Sequence, residues 1–188
     1  MRPLPPLYLL FFYWMFELYV ALSRPSPQLE RSAIDRSSLR LMWNVVGICM
    51  VITVLAARLL PQWHWPVPEW FHHLSVGIFL IGMSWRWKAI LYLGKYFTVD
   101  ISVQPRQPVI DTGPYRLIRH PAYLGSLLMF LGTGLTFAHP VAVLAMVVPT
   151  TLTFLYRMRI EEHLLLEKLG SPYQAYLART KRLLPFLY

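Results

Sequence analysis

A single cysteine, Cys49, lies in the middle of an apolar run of this 188-residue chain. One thiol can build neither a disulfide framework nor a Cys-rich zinc site, and in that setting it reads as packing. Charge is also scarce. Asp, Glu, Lys and Arg make up 14% of the residues against 56% hydrophobic, which excludes an ordinary soluble domain and points to an integral membrane protein. Acidic residues are the scarcer sign, 9 against 18 basic, for a formal charge of +9. In a soluble domain that excess would suggest nucleic acid. Here the basic residues fall at the edges of apolar runs, where they act as orientation signals and lipid-headgroup contacts, so no nucleic-acid partner is expected. No internal repeat is present, and nothing resembles low complexity beyond a short Ser/Arg-rich stretch from Ser23 to Ser38.

A helix needs about twenty residues to cross about 30 Å of hydrocarbon. Leu4 to Leu22, Leu41 to Leu60 and Trp70 to about Leu91 each qualify. From Ala122 to Tyr156 the chain is almost continuously apolar, and as one helix that run would reach on the order of 52 Å, too long for one crossing. His139-Pro140 is the punctuation near its midpoint, so a tight hairpin of two short spans is expected there. The expected fold is therefore all-α, a single polytopic domain over 1–188 with about five transmembrane helices: three spans in 1–93, then a loop, a hairpin and C-terminal helices in 94–188.

Orientation follows from the loop cations. Arg24, Arg31, Arg36 and Arg40 lie between spans one and two; Lys95, Arg106, Arg116 and Arg119 between three and four; Arg157, Arg159, Lys168, Arg179, Lys181 and Arg182 in the tail. The opposite side has Arg2, with Arg58 near a span end. The positive-inside rule puts the rich segments in the cytoplasm and the N-terminus outside. The first span is long, aromatic and interrupted by Glu17, with no clear small-residue cleavage site, and is read as a retained helix rather than a signal peptide.

The connection from Gly94 to His120 exceeds the usual length of a structureless loop. Phe97, Val99, Ile101 and Val103 alternate with Thr98, Asp100 and Ser102, the period of a half-buried extended segment, and Pro105, Pro108 and Pro114 stiffen the remainder of the connection. Beyond the last span, Tyr156 to Gly170 reads as the fifth helix running on past the membrane. Gly170 is a stop, Ser171-Pro172 an N-cap with proline at the first helical position, and Tyr173 to about Lys181 a further helix. The ending Leu183 to Tyr188 is apolar enough to lie on the interface.

Two clusters carry chemistry. GPYRLIRHPAYLG, from Gly113 to Gly125, crowds Tyr115, Arg116, Arg119, His120 and Tyr123 at the mouth of the fourth span. Arg157 and Glu161 share a helical face four residues apart, a spacing that equally suits a surface ion pair. Taken together, and in this order with RMRIEEHLLLEKLGSPYQAY, they closely resemble the isoprenylcysteine carboxyl methyltransferase family and its relatives, the membrane phospholipid N-methyltransferases. The resemblance covers the last half of the chain; the first 90 residues match only as a count of spans.

That resemblance implies an S-adenosylmethionine-dependent membrane methyltransferase, with S-adenosylhomocysteine as product and a lipophilic or prenylated substrate reached from the bilayer. Its RHPxY box implies cofactor contacts from His120, Pro121, Ala122 and Tyr123, and its GPY turn one from Tyr115. The preceding segment adds Gln104 and the run Gln107, Pro108, Val109 and Ile110 beside the adenosine. Glu161 matches a cofactor-binding glutamate and Arg157 an arginine assigned to the substrate, and these two are the expected catalytic residues. The cofactor's cationic groups call for a carboxylate, and its anion for donors such as Arg119 or backbone amides. Carboxyl O-methylation of an isoprenylcysteine-like substrate is the leading expectation. Phospholipid N-methylation, for which Glu162 or His163 would accept the amine proton, is an alternative. So are an NADPH-dependent membrane enzyme of the sterol-reductase type and a scaffold without activity.

Other polar residues have plainer readings. Glu17, an ionisable group inside a span, suggests function or a pairing with Arg86. His64, His72 and His73 with Trp63, Trp65 and Trp70 read as an aromatic belt, and no metal is expected. Gly132 and Gly134 read as sites of close helix packing.

Overall fold

The computed structural model describes residues 7–23, 33–104 and 106–184, with the side chains of 33–36 left aside. Arg2, Leu4, Arg24, Arg31, Pro105 and the last residues of the C-terminal apolar segment lie outside the described residues, as does most of the Ser/Arg-rich stretch.

Six α-helices organise the described chain: α1 (Leu7–Ser23), α2 (Ala33–Leu59), α3 (Glu69–Leu93), α4 (Pro121–Thr136), α5 (Pro140–Leu169) and α6 (Ser171–Arg179). No strand forms among the described residues, and the single β-bridge pairs Ile118 with Lys181 in parallel. Three helices are long and apolar enough to cross a membrane, and α1 and α4 are shorter apolar helices. Phe11, Leu22, Ile48, Leu59, Ile81 and Leu152 are among the many large apolar side chains left exposed. In water that surface would aggregate; in a bilayer it is the solvated face.

Helices α4 and α5 are joined by Phe137, Ala138 and His139, with Ala138 at a φ of +47°. Proline opens both helices, where its missing amide hydrogen costs nothing. Pro149 stands inside α5, and the hydroxyls of Thr150 and Thr153 donate to the carbonyls of Met146 (2.6 Å) and Pro149 (2.8 Å) around it. The expected short fifth span and its cytoplasmic extension are thus one 30-residue helix.

The closest packing joins α3 to α4. A Cβ on Gly125 would fall 2.7 Å from the Gly82 carbonyl oxygen, and one on Gly132 would fall 2.6 Å from the Phe79 nitrogen. Only glycine lets these backbones meet. Gly134 is looser, with Val143 Cα at 3.0 Å as its nearest neighbour. A core of Tyr13, Val46, Met50, Phe79, Phe130, Met146, Phe154 and Met158 fills the space between the helices.

Gly170 ends α5 with φ +62°, but it also serves as the N-cap of α6, and Ser171 makes no side-chain cap. The expected Ser171 cap is therefore corrected by one residue. The period-2 reading of residues 97–103 also needs correction: Asp100, expected to face outward, is buried beside Ile101.

Candidate active site

At the end of the bundle where α4 begins and α5 runs on, the helices part around one large cavity. About 1130 Å³ of space lies between its walls, mouth included. Two short 3-10 turns bracket the loop that covers it, Gly94–Tyr96 and Gly113–Arg116. Gly113 adopts φ +56° with the Tyr92 ring 2.5 Å from where a Cβ would stand, and the Tyr92 hydroxyl donates to Thr112 Oγ1 at 2.9 Å. That turn points Tyr115 inward, where its hydroxyl donates to the Ala89 carbonyl at 3.3 Å.

Tyr115, His120 and Glu161 line this same cavity, together with Gln107, Pro108, Val109, Ile110, Arg119, Ala122, Tyr123 and Arg157. Of the residues singled out from sequence, Gln104 and Pro121 are not in the wall. Gln104 instead shapes the loop: its amide donates to the Lys95 carbonyl, and its backbone N–H donates to Gln107 Oε1 at 3.0 Å. Pro121 is spent on starting α4.

A polar relay runs across one wall. Arg157, 2% exposed, donates through Nε to the Tyr123 hydroxyl at 3.2 Å, through Nη1 to Ser38 Oγ at 3.0 Å and through Nη2 to the Val99 carbonyl at 2.7 Å. Tyr123 in turn donates to Glu161 Oε2 at 3.0 Å. Glu161 keeps 29% of its side chain exposed, so it can still accept from a bound molecule.

His120 stands at the start of α4 with 4% exposure. Its Nε2 lies 3.2 Å from Glu162 Oε1 and its Nδ1 3.9 Å from Glu161 Oε1. Arg119 reaches the wall, but its guanidinium is engaged by Glu162 at 2.7 Å and by the Thr180 and Leu177 carbonyls. Glu162 is absent from the wall and holds three cationic or donor groups, and His163 is exposed outside it. The expectation that either would take a proton from an acceptor is therefore corrected.

Tyr173 and Tyr176 of α6 close the wall opposite the loop, and the Tyr176 hydroxyl donates to the Tyr115 carbonyl at 2.7 Å. Burial pushes the phenols of Tyr115, Tyr173 and Tyr176 well up, and the Glu161 carboxylate adds to this for Tyr115 and Tyr173. They stay neutral and offer aromatic faces. Neither α6 tyrosine was given a site role from sequence; the Tyr-x-x-Tyr spacing on a short helix was the available signal.

The N-terminal helices supply the remaining side. Glu17 of α1 and Arg86 of α3 both line the cavity, with Arg86 Nη2 donating to Glu17 Oε2 at 2.9 Å and Nη1 to the Ala122 carbonyl at 3.2 Å. Trp43 of α2 stacks on Trp14 of α1 with centroids 5.3 Å apart, bracing that wall. A site so built has a polar end, rich in carboxylate and tyrosine, and an end walled by apolar helices. It suits a small charged organic molecule meeting a lipophilic one.

Residues 75–167 match the model of the isoprenylcysteine carboxyl methyltransferase (ICMT) family. Protein-S-isoprenylcysteine O-methyltransferase B of Arabidopsis thaliana is 29% identical over 126 residues, 66% of this chain and 62% of the plant protein. Methanethiol S-methyltransferase 2 of Bradyrhizobium diazoefficiens is 29% identical over 152 residues, 69% of this chain and 56% of that protein. This chain thus spans less than two thirds of the length of the relatives it matches. Its fold follows that of the eukaryotic intramembrane Ras methyltransferase ICMT over all of this chain and 70% of that one, with a TM-score of 0.68 at 20% identity. Over the matched stretch, which holds the whole Gly113–Gly125 cluster and both Arg157 and Glu161, this chain is similar to the isoprenylcysteine carboxyl methyltransferase family.

Proposed function

We propose that this protein is an integral membrane methyltransferase that uses S-adenosylmethionine to methylate the carboxylate of an isoprenylcysteine-like acceptor. One observation carries the reading: Tyr115 and His120 of the Gly113–Gly125 cluster and the distant Glu161 of α5 line one cavity. Its lining, polar at one end and apolar at the other, suits a charged cofactor and a lipophilic acceptor together. The donor set also fits, with Glu161 for cationic groups, the tyrosines for an aromatic base, and Gln107 to Ile110 along the covering loop.

When bound, the cofactor supplies an electrophilic methyl group on a sulfonium. The chain's own residues orient. Orientation of well-placed reactants can recover about 7–11 kcal/mol of a barrier. Tyr123, held between Arg157 and Glu161, fixes the Glu161 carboxylate. Arg157 aligns the acceptor carboxylate, which is ionised at neutral pH and needs no base. The helices α1, α2 and α3 admit the acceptor from the bilayer and keep bulk water from the reacting atoms.

We further read α1 to α5 as five crossings, with the cavity facing the cytoplasm and the N-terminus outside. The cation-rich ends of the helices lie at the cavity's end of the bundle, which supports this orientation. Helix α4, 16 residues long, spans about 24 Å at 1.5 Å per residue, and that shortness leaves room for the cavity.

The Bradyrhizobium relative favours a second reading, methylation of a thiol. Transfer of radiolabelled methyl groups from S-adenosylmethionine into a prenylcysteine analogue, a small thiol and a total lipid extract tests both. Transfer into the prenylcysteine supports the first, with a rate flat around neutral pH because a carboxylate ionises near pH 4. Transfer into the thiol alone, rising toward a thiol pKa of about 8.5, replaces it with the second. Transfer into no acceptor contradicts both.

A further inference from the structure

Glu161 and Glu162 are neighbours on α5, yet only Glu161 faces the cavity. Glu162 sits behind His120. Its Oε1 accepts from Arg119 Nε at 2.7 Å and meets His120 Nε2 at 3.2 Å; its Oε2 accepts from Arg182 Nε at 2.9 Å and lies 2.7 Å from Arg182 Nη2. Two guanidiniums keep this carboxylate ionised, and an ionised carboxylate only accepts. The proton between Glu162 and His120 therefore belongs to Nε2. In the neutral ring, Nδ1 is then a bare acceptor, turned toward Glu161 Oε1 at 3.9 Å along the cavity wall.

Arg182 arrives from the far end of the chain along a strap. Residues 180–183 run beside 117–120, with Lys181 N donating to the Leu117 carbonyl at 3.2 Å, Arg119 N to Lys181 O at 2.7 Å and His120 N to Arg182 O at 3.1 Å. Thr180 and Leu183 are buried at 5% and 6% exposure, which anchors the strap at both ends. One strap thus fixes the backbone of His120 directly and its ring through Glu162.

We propose that Glu162 is a positioning residue, which with Arg182 sets the tautomer and direction of the His120 ring so that Nδ1 and Glu161 form an acceptor pair for an ammonium or N–H group. The inference rests on the methyltransferase reading, which makes the cofactor the occupant.

The test uses the full chain in detergent micelles with ¹⁵N-labelled histidine, and S-adenosylhomocysteine as the probe ligand. His120 in the wild type is expected to give the Nε2–H tautomer signature. Glu162→Gln mixes the tautomers and weakens binding about tenfold or more, as losing a hydrogen bond to a charged group does. Arg182→Ala produces a smaller shift in the same two readouts, and Arg182→Lys restores most of both. Lys181→Ala, which removes an exposed side chain and leaves the backbone bonds, changes neither. Should Glu162→Gln fail to fold, the Arg182 pair decides.

Wild-type tautomer and affinity in folded Glu162→Gln or Arg182→Ala protein would overturn the proposal, as would an Nδ1–H tautomer in the wild type. Absence of binding by the wild type would instead overturn the methyltransferase reading, and the His120 signal would still decide the positioning claim.

Discussion

Helices α4 and α5 both begin with a His-Pro step, His120-Pro121 at one end of the bundle and His139-Pro140 at the other. His139 is fully buried and spends both ring nitrogens on backbone: Nδ1 accepts from Ala142 N at 3.3 Å, capping α5, and Nε2 bonds the Leu60 carbonyl at 3.1 Å. His120 makes no side-chain cap for α4. Its ring nitrogens meet carboxylates instead, and its edge lines a cavity. The same dipeptide serves helix capping in one place and a cavity wall in the other. What differs is the surroundings: the 30-residue α5 brings two glutamates to the His120 end, whereas His139 sits in a tight turn between α4 and α5.

Breaking charge at the cavity end should have the largest effect. Glu17→Gln leaves Arg86 buried without its partner and should cost about 3–5 kcal/mol, read from thermal unfolding in detergent. A further change, Arg86→Met, should recover much of that loss. Next come the cavity residues themselves: His120→Ala and Glu161→Ala should each weaken S-adenosylhomocysteine binding by about 10- to 150-fold, the range for a hydrogen bond to a charged group. At the α3–α4 contact between the two ends, Gly132→Ala should cost about 1–3 kcal/mol through overpacking. Gly47→Ala, where a Cβ meets nothing within 4 Å, should cost nothing measurable. A small effect is expected at the turn between α4 and α5. His139→Ala removes a cap and should cost about 1 kcal/mol of stability with ligand affinity unchanged.

Much of the fold was legible because the signals are local. Apolar run length gave the helices, Gly170 and the two His-Pro steps gave helix ends, and the motif order gave the wall residues Tyr115, Ala122, Tyr123, Arg157 and Glu161. The rest depends on pairings far apart in sequence, which leave no period to read. Arg182 meets Glu162, and the strap at 180–183 pairs with 117–120; the Glu17–Arg86 pair, read from the one acidic group inside a span, is the exception. Tertiary contacts override local pattern at Asp100, which alternation put outside and the loop folds in. Gln104 belongs to the covering loop, but it braces that loop rather than lining the cavity.

The most direct measurement is isothermal titration of the purified chain in detergent with S-adenosylhomocysteine and, separately, NADPH, on the wild type and on both histidine variants. A methyltransferase cavity predicts one S-adenosylhomocysteine bound per chain, lost in His120→Ala and kept in His139→Ala, with no binding of NADPH. Binding of NADPH alone, or equal loss of S-adenosylhomocysteine in the two variants, would contradict it.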